Sequence, residues 1–375
     1  MFTRFARSTL RSAGKCGLIS AVRQNMRTVV QLAGRPWLPG SDSPTFPKEM
    51  TLFNASFPHP VKVDVAREDL ASFAKDFRPT LDEELRQHGA VVIQGLPLEA
   101  AKDFSEFYDA MEYHPIPYTG GTGGREKLLK NVFTTSSDPE EYTLEQHNEM
   151  SYLPFWPHLL FIYCEVETEK GCGGENGLTD VRVLYDSIDP DITEKFNRLG
   201  VRYWRYLPLP SHPKYKAYTA WHKTLETDDM AELETRVSDA GCSFKRDEEG
   251  GLCFWMNRPA MSPHFRTGEM LWFGQICSYN YTFLKDCYPG HSEHFVDVPE
   301  EKYPFTTMYG DGTLIEPEVI RHIREKTWEC TKGGQLKQME VLVFDNMLFS
   351  HCRLSFTGQR VNRVAQACYR EYLHI

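Results

Sequence analysis

His147-Asn148-Glu149, His351 and Arg363 are the residues of this 375-residue chain whose types and spacing can do chemistry. On a strand, residues i and i+2 face the same way, so His147 and Glu149 can reach one metal ion from one side. A second imidazole from His351 completes a set of two histidines and one carboxylate. Gathered on one face of an ion, that set leaves positions open for a co-substrate and dioxygen, the arrangement suited to non-haem iron(II). Arg363 adds a planar cationic fork that fits a carboxylate. An H-x-E triplet alone is a weak signal among 13 histidines, and it also fits a strand with a polar face or a surface turn. Its weight comes from the elements around it.

Those elements read as strands with helices inserted between them. Asp82 to His88 is helical in pattern and Gly89 fits its stop. Ala90-Val91-Val92-Ile93 reads as a buried strand ended by Gly95, and Leu98 to Tyr113 as a second helix. Leu159 to Cys164 is a strong strand, and Gly173 to Asp180 a turn running into another. Val183 to Leu199 and Asp228 to Ala240 have helical patterns, whereas Val341 to Phe344 and Val364 to Tyr372 return to strand. Asp345-Asn346 marks a turn, which puts His351 near a strand end, where functional groups on a β scaffold often sit. Between Pro115 and Arg125 lies a loop with four glycines and no G-K-[ST] ending, so it is not a P-loop. It is either a surface turn or a pocket rim from which Tyr118 and Arg125 touch substrate. The pattern predicts one mixed, β-centred domain over residues 41–375.

Residues 1–40 differ in composition. They contain Arg4, Arg7, Arg11, Lys15, Arg23, Arg27 and Arg35, and no acid precedes Asp42. An Arg-rich, hydroxyl-containing, acid-free start reads as a mitochondrial transit peptide, so the expected location is the matrix, or otherwise the cytoplasm. A basic arm that touches nucleic acid or lipid is the competing reading. The whole chain carries a net charge of −10, and without this leader it is more acidic still. Such a body is a poor nonspecific nucleic-acid binder, because that binding depends on neutralising phosphates. No run approaches eighteen apolar residues, so no membrane span is expected. The ten cysteines form no C-x-x-C pair, which fits scattered core thiols in a reducing compartment rather than a disulfide framework.

From about Gly89 onward the chain resembles the taurine-dioxygenase and clavaminate-synthase-like branch of the iron(II)/2-oxoglutarate oxygenases. The resemblance rests on EQHNEMSY, FIYCEVE, GGEN, WHKTLETDD, YGDGTLI and VFDNMLFSHCRLSFTGQRVNRV. It implies a double-stranded β-helix (jelly roll) with flanking and inserted helices, and iron ligands at His147, Glu149 and His351. It implies Fe(2+) with 2-oxoglutarate and O2 as co-substrates, and hydroxylation of an unactivated carbon in a small-molecule substrate, with release of succinate and CO2. The arginine that anchors the far carboxylate of 2-oxoglutarate maps to Arg363 through the trailing strand, with Arg360 as competitor or second contact. Asn176 stands where the family often has Thr, and Trp272-Phe273-Gly274 where it has Trp-Phe-Asn. These departures leave room for a catalytically silent relative that binds a metabolite or a protein partner. A zinc hydrolase is disfavoured, since there is no H-E-x-x-H helix. Tyr152, Phe155, Trp156 and Trp221 are either core aromatics or the wall of a quaternary-amine pocket.

Overall fold

The structure is a computed structural model that describes residues 51–372 apart from 119–124, 137, 141, 210–211, 213–226, 228 and 288–296. Short strands β1 (Thr51–Leu52) and β2 (His59–Lys62) precede helix α1 (Leu70–His88), then β3 (Ala90–Gln94) and α2 (Ala101–Ala110). Leu70, Ala74, Phe77, Leu81 and Leu85 give α1 one buried stripe. Gly89, at φ 70°, ends it in the left-handed conformation, its N–H donating to the Leu85 carbonyl. The helix starts well before the Asp82 expected from sequence. Pro79 lies inside it, and a proline there normally argues for a break.

Next come β4 (His114–Pro115), β5 (Phe133–Thr134), β6 (Leu144–His147), β7 (Leu159–Val166) and β8 (Asn176–Asp180). The helical stretch expected after them is two helices, α3 (Val181–Ser187) and α4 (Pro190–Leu199). Pro190 occupies the first turn of α4, and Asp189 caps it by accepting the Asp191 N–H at 2.9 Å. Then follow β9 (Val201–Leu207), α5 (Met230–Asp239), β10 (Ser243–Arg246), β11 (Leu252–Arg258), β12 (Met261–Pro263), β13 (Met270–Trp272) and β14 (Phe305–Tyr309). The chain closes with α6 (Pro317–Glu329), β15 (Thr331–Gly334), β16 (Val341–Asp345), β17 (Phe349–Arg353) and β18 (Val361–Cys368).

Two sheets position the site. The major sheet runs β2-β3-β16-β7-β18-β4, with β5 also on β18, and the minor sheet runs β1-β15-β8-β17-β6. A third sheet, β10-β11-β9-β14, and the pair β12-β13 lie outside these two. Period-two alternation gives the major sheet two apolar faces. Val92, Leu160, Ile162, Phe344 and Val364 share a core with Leu178 and Phe349 of the minor sheet. Val91, Phe161, Tyr163, Val343 and Ala365 pack instead with Leu81 and Leu85 of α1 and Phe104 and Phe107 of α2. Burial on both faces is why the Leu159–Cys164 run is continuously hydrophobic rather than alternating. The result is a mixed, sheet-centred fold with helices outside. No helix among the described residues is long and apolar enough to cross a membrane.

Candidate metal centre

His147 is the last residue of β6, and His351 on β17 is its cross-strand partner. Glu149 does not continue that strand as the sequence pattern suggested. The chain turns at Asn148, where the Ser151 N–H donates to the Asn148 carbonyl at 3.2 Å, and Met150 takes φ 58°. The turn, rather than strand alternation, swings Glu149 back toward the two imidazoles. The three candidate ligand atoms all lie within 4.8 Å of one another. Glu149 Oε2 is 4.0 Å from His147 Nε2 and 3.8 Å from His351 Nε2.

Two neighbours hold this turn. Asn346, just after β16, accepts the Glu149 N–H at 2.7 Å and donates to the Glu149 and Pro157 carbonyls at 3.0 and 2.8 Å. Asn148 donates to the Asn346 carbonyl at 2.7 Å and accepts the Gly274 N–H at 3.2 Å. Both asparagines are buried. Asp345 braces the following turn by accepting the Met347 N–H at 2.9 Å, and it contacts His264 and Arg266 at 3.0 Å each. Burial alone would raise its carboxyl; His264 and Arg266 overcome that and hold it below the ordinary aspartate value. The Asn346 contacts could have been suspected from its place beside the Asp345-Asn346 turn. The buried ion pair of Arg324 with Glu145, at 2.6 Å, had no local signal, because the partners are far apart in sequence.

The electrostatics suit a divalent ion. Burial is the largest influence on both triad histidines: it lowers His147, and it lowers His351 well below the usual imidazole value with help from the charges of His147 and Arg125. Both are therefore neutral near pH 7, the state a ligand requires. His147 Nδ1–H donates to the Glu145 carbonyl at 2.8 Å, which fixes the tautomer and leaves the Nε2 lone pair toward Glu149. Two neutral nitrogens and one carboxylate oxygen, buried together, fit iron(II).

The remaining sequence candidates separate. Arg125 reaches the triad: its Nη2 donates to Glu149 Oε2 at 2.6 Å, and its guanidinium lies 4.6 Å from the Tyr118 ring centroid. The Arg125 Nη1 is buried without a hydrogen-bond partner among the described residues. Gly120 to Gly124 and Trp221 lie outside the described residues. Tyr152 is core, packed on Tyr203 and Tyr279, whereas Phe155 is 49% exposed, so these aromatics do not form one cage. Gly274 has a packing reason, since a Cβ there would come within 2.9 Å of the Tyr203 hydroxyl.

Arg363 and Arg360 meet different partners. The register partner of Arg363 on β7 is Tyr163, which stacks on Phe104 of α2. Arg363 therefore leaves the major sheet on the helix-covered face, where its Nε donates to Glu165. Leu178 and Asn176 share a face of β8, and Leu178 is the cross-strand partner of His351. It is Arg360 that reaches Asn176, with Nη2 donating to Oδ1 at 2.9 Å while Nε donates to the Gly174 carbonyl at 2.9 Å. Burial, followed by the charge of Arg353, pulls Arg360 down to about 9. It stays cationic at neutral pH, and among the described residues its hydrogen bonds go only to neutral oxygens. The Glu175 carboxylate also acts on it, and an incoming anion that accepts hydrogen bonds from this half-buried guanidinium stabilises it further.

The model of one family, taurine catabolism dioxygenase TauD, TfdA, matches residues 49–369. A clavaminate synthase-like protein of Arabidopsis thaliana is 26% identical over 324 residues, which cover 85% of this chain and 92% of the relative. The dapdiamide synthesis protein DdaC of Enterobacter agglomerans is 25% identical over 285 residues, covering 76% and 84%. Among solved structures, PvcB, an Fe, alpha-ketoglutarate dependent oxygenase from an isonitrile synthetic pathway, aligns with 13% identity over 78% of this chain and 81% of its own, at a TM-score of 0.43. The chain belongs to the taurine catabolism dioxygenase TauD, TfdA family and is an iron(II)- and 2-oxoglutarate-dependent dioxygenase.

Proposed function

We propose that His147, Glu149 and His351 hold the iron, that Arg360 with Asn176 holds the far carboxylate of 2-oxoglutarate, and that the product is a hydroxylated small molecule. In this reading the major and minor sheets are the two halves of a double-stranded β-helix, with the triad carried by β6, β17 and the turn after β6. The observation that carries the proposal is the convergence of three donor atoms within 4.8 Å, two of them on imidazoles that burial keeps neutral. When bound, iron(II) would supply the O2-dependent decarboxylation of 2-oxoglutarate, one oxygen atom going to succinate with release of CO2 and the other to the hydroxyl formed at an unactivated C–H bond.

The chain's own groups do the positioning. Arg360 presents its fork toward the Asn176 side of β8 and fixes the co-substrate by charge-assisted hydrogen bonds. Asn176 replaces a threonine hydroxyl with an amide, which both donates and accepts; here its Oδ1 already orients the Arg360 fork. Asn148 and Asn346 hold the turn so that Glu149 keeps its direction. Tyr118 and Arg125 line the substrate side, with the Arg125 Nη1 as donor for a polar or anionic substrate group. Residues 1–40 direct the protein to mitochondria, on the strength of their arginine-rich, acid-free composition.

The test is anaerobic titration of the iron-loaded protein with 2-oxoglutarate, monitored by visible charge-transfer absorption, followed by succinate release in air with ascorbate. The expected result is a saturable band and a succinate yield that both vanish in His351→Ala. Iron uptake and succinate release undiminished in that variant would overturn the assignment.

A further inference from the structure

We propose that His59, Glu84 and His88 form a second divalent-metal site, of the zinc class, tying β2 to the end of α1. His59 opens β2, while Glu84 and His88 are one turn apart on one side of α1. Their ligand atoms all lie within 4.8 Å of one another. Both Nε2 atoms approach the same oxygen, Glu84 Oε2, at 3.3 Å from His59 and 3.5 Å from His88. The two imidazoles stack with centroids 3.8 Å apart and planes 7° apart.

Three further features favour a cation. His88 is the last residue of α1, and the unpaired carbonyls of a helix end give that end negative character. Among the described residues no lysine or arginine pairs with Glu84, whose recorded ion pairs are these two histidines. Two imidazoles and a carboxylate are a donor set zinc accepts, with a fourth position left for water. The side chains are 33%, 28% and 37% exposed, so an ion reaches them from solvent and the stacked rings have room to splay around it.

The site is independent of the iron centre. Val61, two residues along β2 from His59, packs into the helix-side core, so the cluster sits on the far face of the major sheet from the triad. Its role is mechanical. An ion bound only when β2 and α1 are docked stabilises that docking by mass action.

The test is zinc stoichiometry by equilibrium dialysis and metal analysis at pH 7.5, in the wild type, two double variants and one triple variant. His147→Ala/His351→Ala removes the triad nitrogens and is expected to retain one zinc, with a melting temperature that rises on zinc addition. Adding Glu84→Gln to that variant should abolish both the binding and the rise. His59→Ala/His88→Ala in the otherwise native chain should lose one zinc equivalent and keep 2-oxoglutarate turnover. Glu84→Gln is the mild substitution that serves if the histidine pair fails to fold. A triad variant that binds no zinc, or that binds it equally with and without Glu84→Gln, overturns the second site, whether or not the iron assignment stands.

Discussion

The two faces of the major sheet carry the same chemical vocabulary in opposite conditions. On the inter-sheet face, His147, Glu149 and His351 converge, with Arg360 close by on Asn176. On the helix-covered face, His59, Glu84 and His88 converge too, and Arg363 lies on Glu165. The difference is what else each group touches. The inter-sheet imidazoles are neutral by burial, and among the described residues Arg360 hydrogen-bonds only neutral oxygens, with the Glu175 carboxylate acting on it through space. The helix-side arginine already has its carboxylate, and the helix-side imidazoles meet solvent. A buried group left short of a partner is poised for a ligand, whereas a satisfied one is structural.

The largest effect expected from breaking this contrast is at the triad. His147→Ala, Glu149→Ala or His351→Ala should each reduce succinate release to background and remove tight iron binding. His59→Ala/His88→Ala, the same operation on the other face, should leave turnover intact. Equal losses on both faces would dissolve the distinction.

The arginines come next. Arg360→Ala should raise the KM for 2-oxoglutarate about 100-fold, in line with roughly 2–5 kcal/mol for truncating one partner of a buried charged pair. Arg360→Lys should recover little of this, because an ammonium cannot reproduce a fork. An unchanged KM would move the anchor elsewhere, with the buried Arg353, whose charge acts on Arg360, as the next candidate.

How much of this was legible in the sequence follows from parity and distance. The triad could be read because residue type and order are enough: an imidazole, a carboxylate two residues on, and a later imidazole beside a turn. The different surroundings of Arg360 and Arg363 could not be read. Counting from the trailing strand does not show which face each side chain takes, and the register slips between Val361 and Asn362. The turn at Glu149 is indistinguishable from strand in the sequence, because i and i+2 contact arises either way. Pro79 hid the first half of α1. The His59 cluster was invisible because only the docking of β2 on α1 brings His59 to His88. Strands Leu159–Val166 and Val341–Asp345 were plain, since a sheet covered on both sides writes itself as a continuous apolar run.

His158 sits at the seam of the two faces. Its carbonyl accepts the Asn346 N–H at 2.8 Å, and its Nδ1 accepts the Tyr369 N–H at 3.1 Å. Burial, opposed by Asp345, lowers it from 6.5 to about 4. The unfolded chain therefore takes up a proton first as pH falls. This contribution to unfolding free energy is level above about 6.5 and decreases by at most about 3 kcal/mol as pH drops to about 4. His158→Gln should flatten that window in urea unfolding at pH 7.5 and 4.5. An unaltered pH slope would mean that His158 is charged in the fold.

A smaller effect is expected at Asn346, which touches the ligand turn but neither reacting group. Asn346→Ala frees the Glu149 backbone and should weaken iron binding about 10-fold, the low end of what partners behind metal ligands contribute. The 2-oxoglutarate KM, measured at saturating iron, should stay put. A change in that KM without a change in iron affinity would place Asn346 in co-substrate binding instead.

Arg363→Ala should be the quietest of the set and for that reason the sharpest probe of the two-face picture. Its partner Glu165 is about one-fifth exposed and so is Arg363 itself, so water replaces much of what the ion pair supplies. The expected loss is about 1 kcal/mol or less of unfolding free energy, with less than a twofold change in KM for 2-oxoglutarate. Glu165→Gln should give a similar small loss, and the double variant should lose less than the sum of the two, because both substitutions remove one interaction. A KM rise in Arg363→Ala comparable to that of Arg360→Ala would mean that β18 rotates its face when 2-oxoglutarate binds. The division between inter-sheet and helix-side chemistry would then be a property of the ligand-free fold alone.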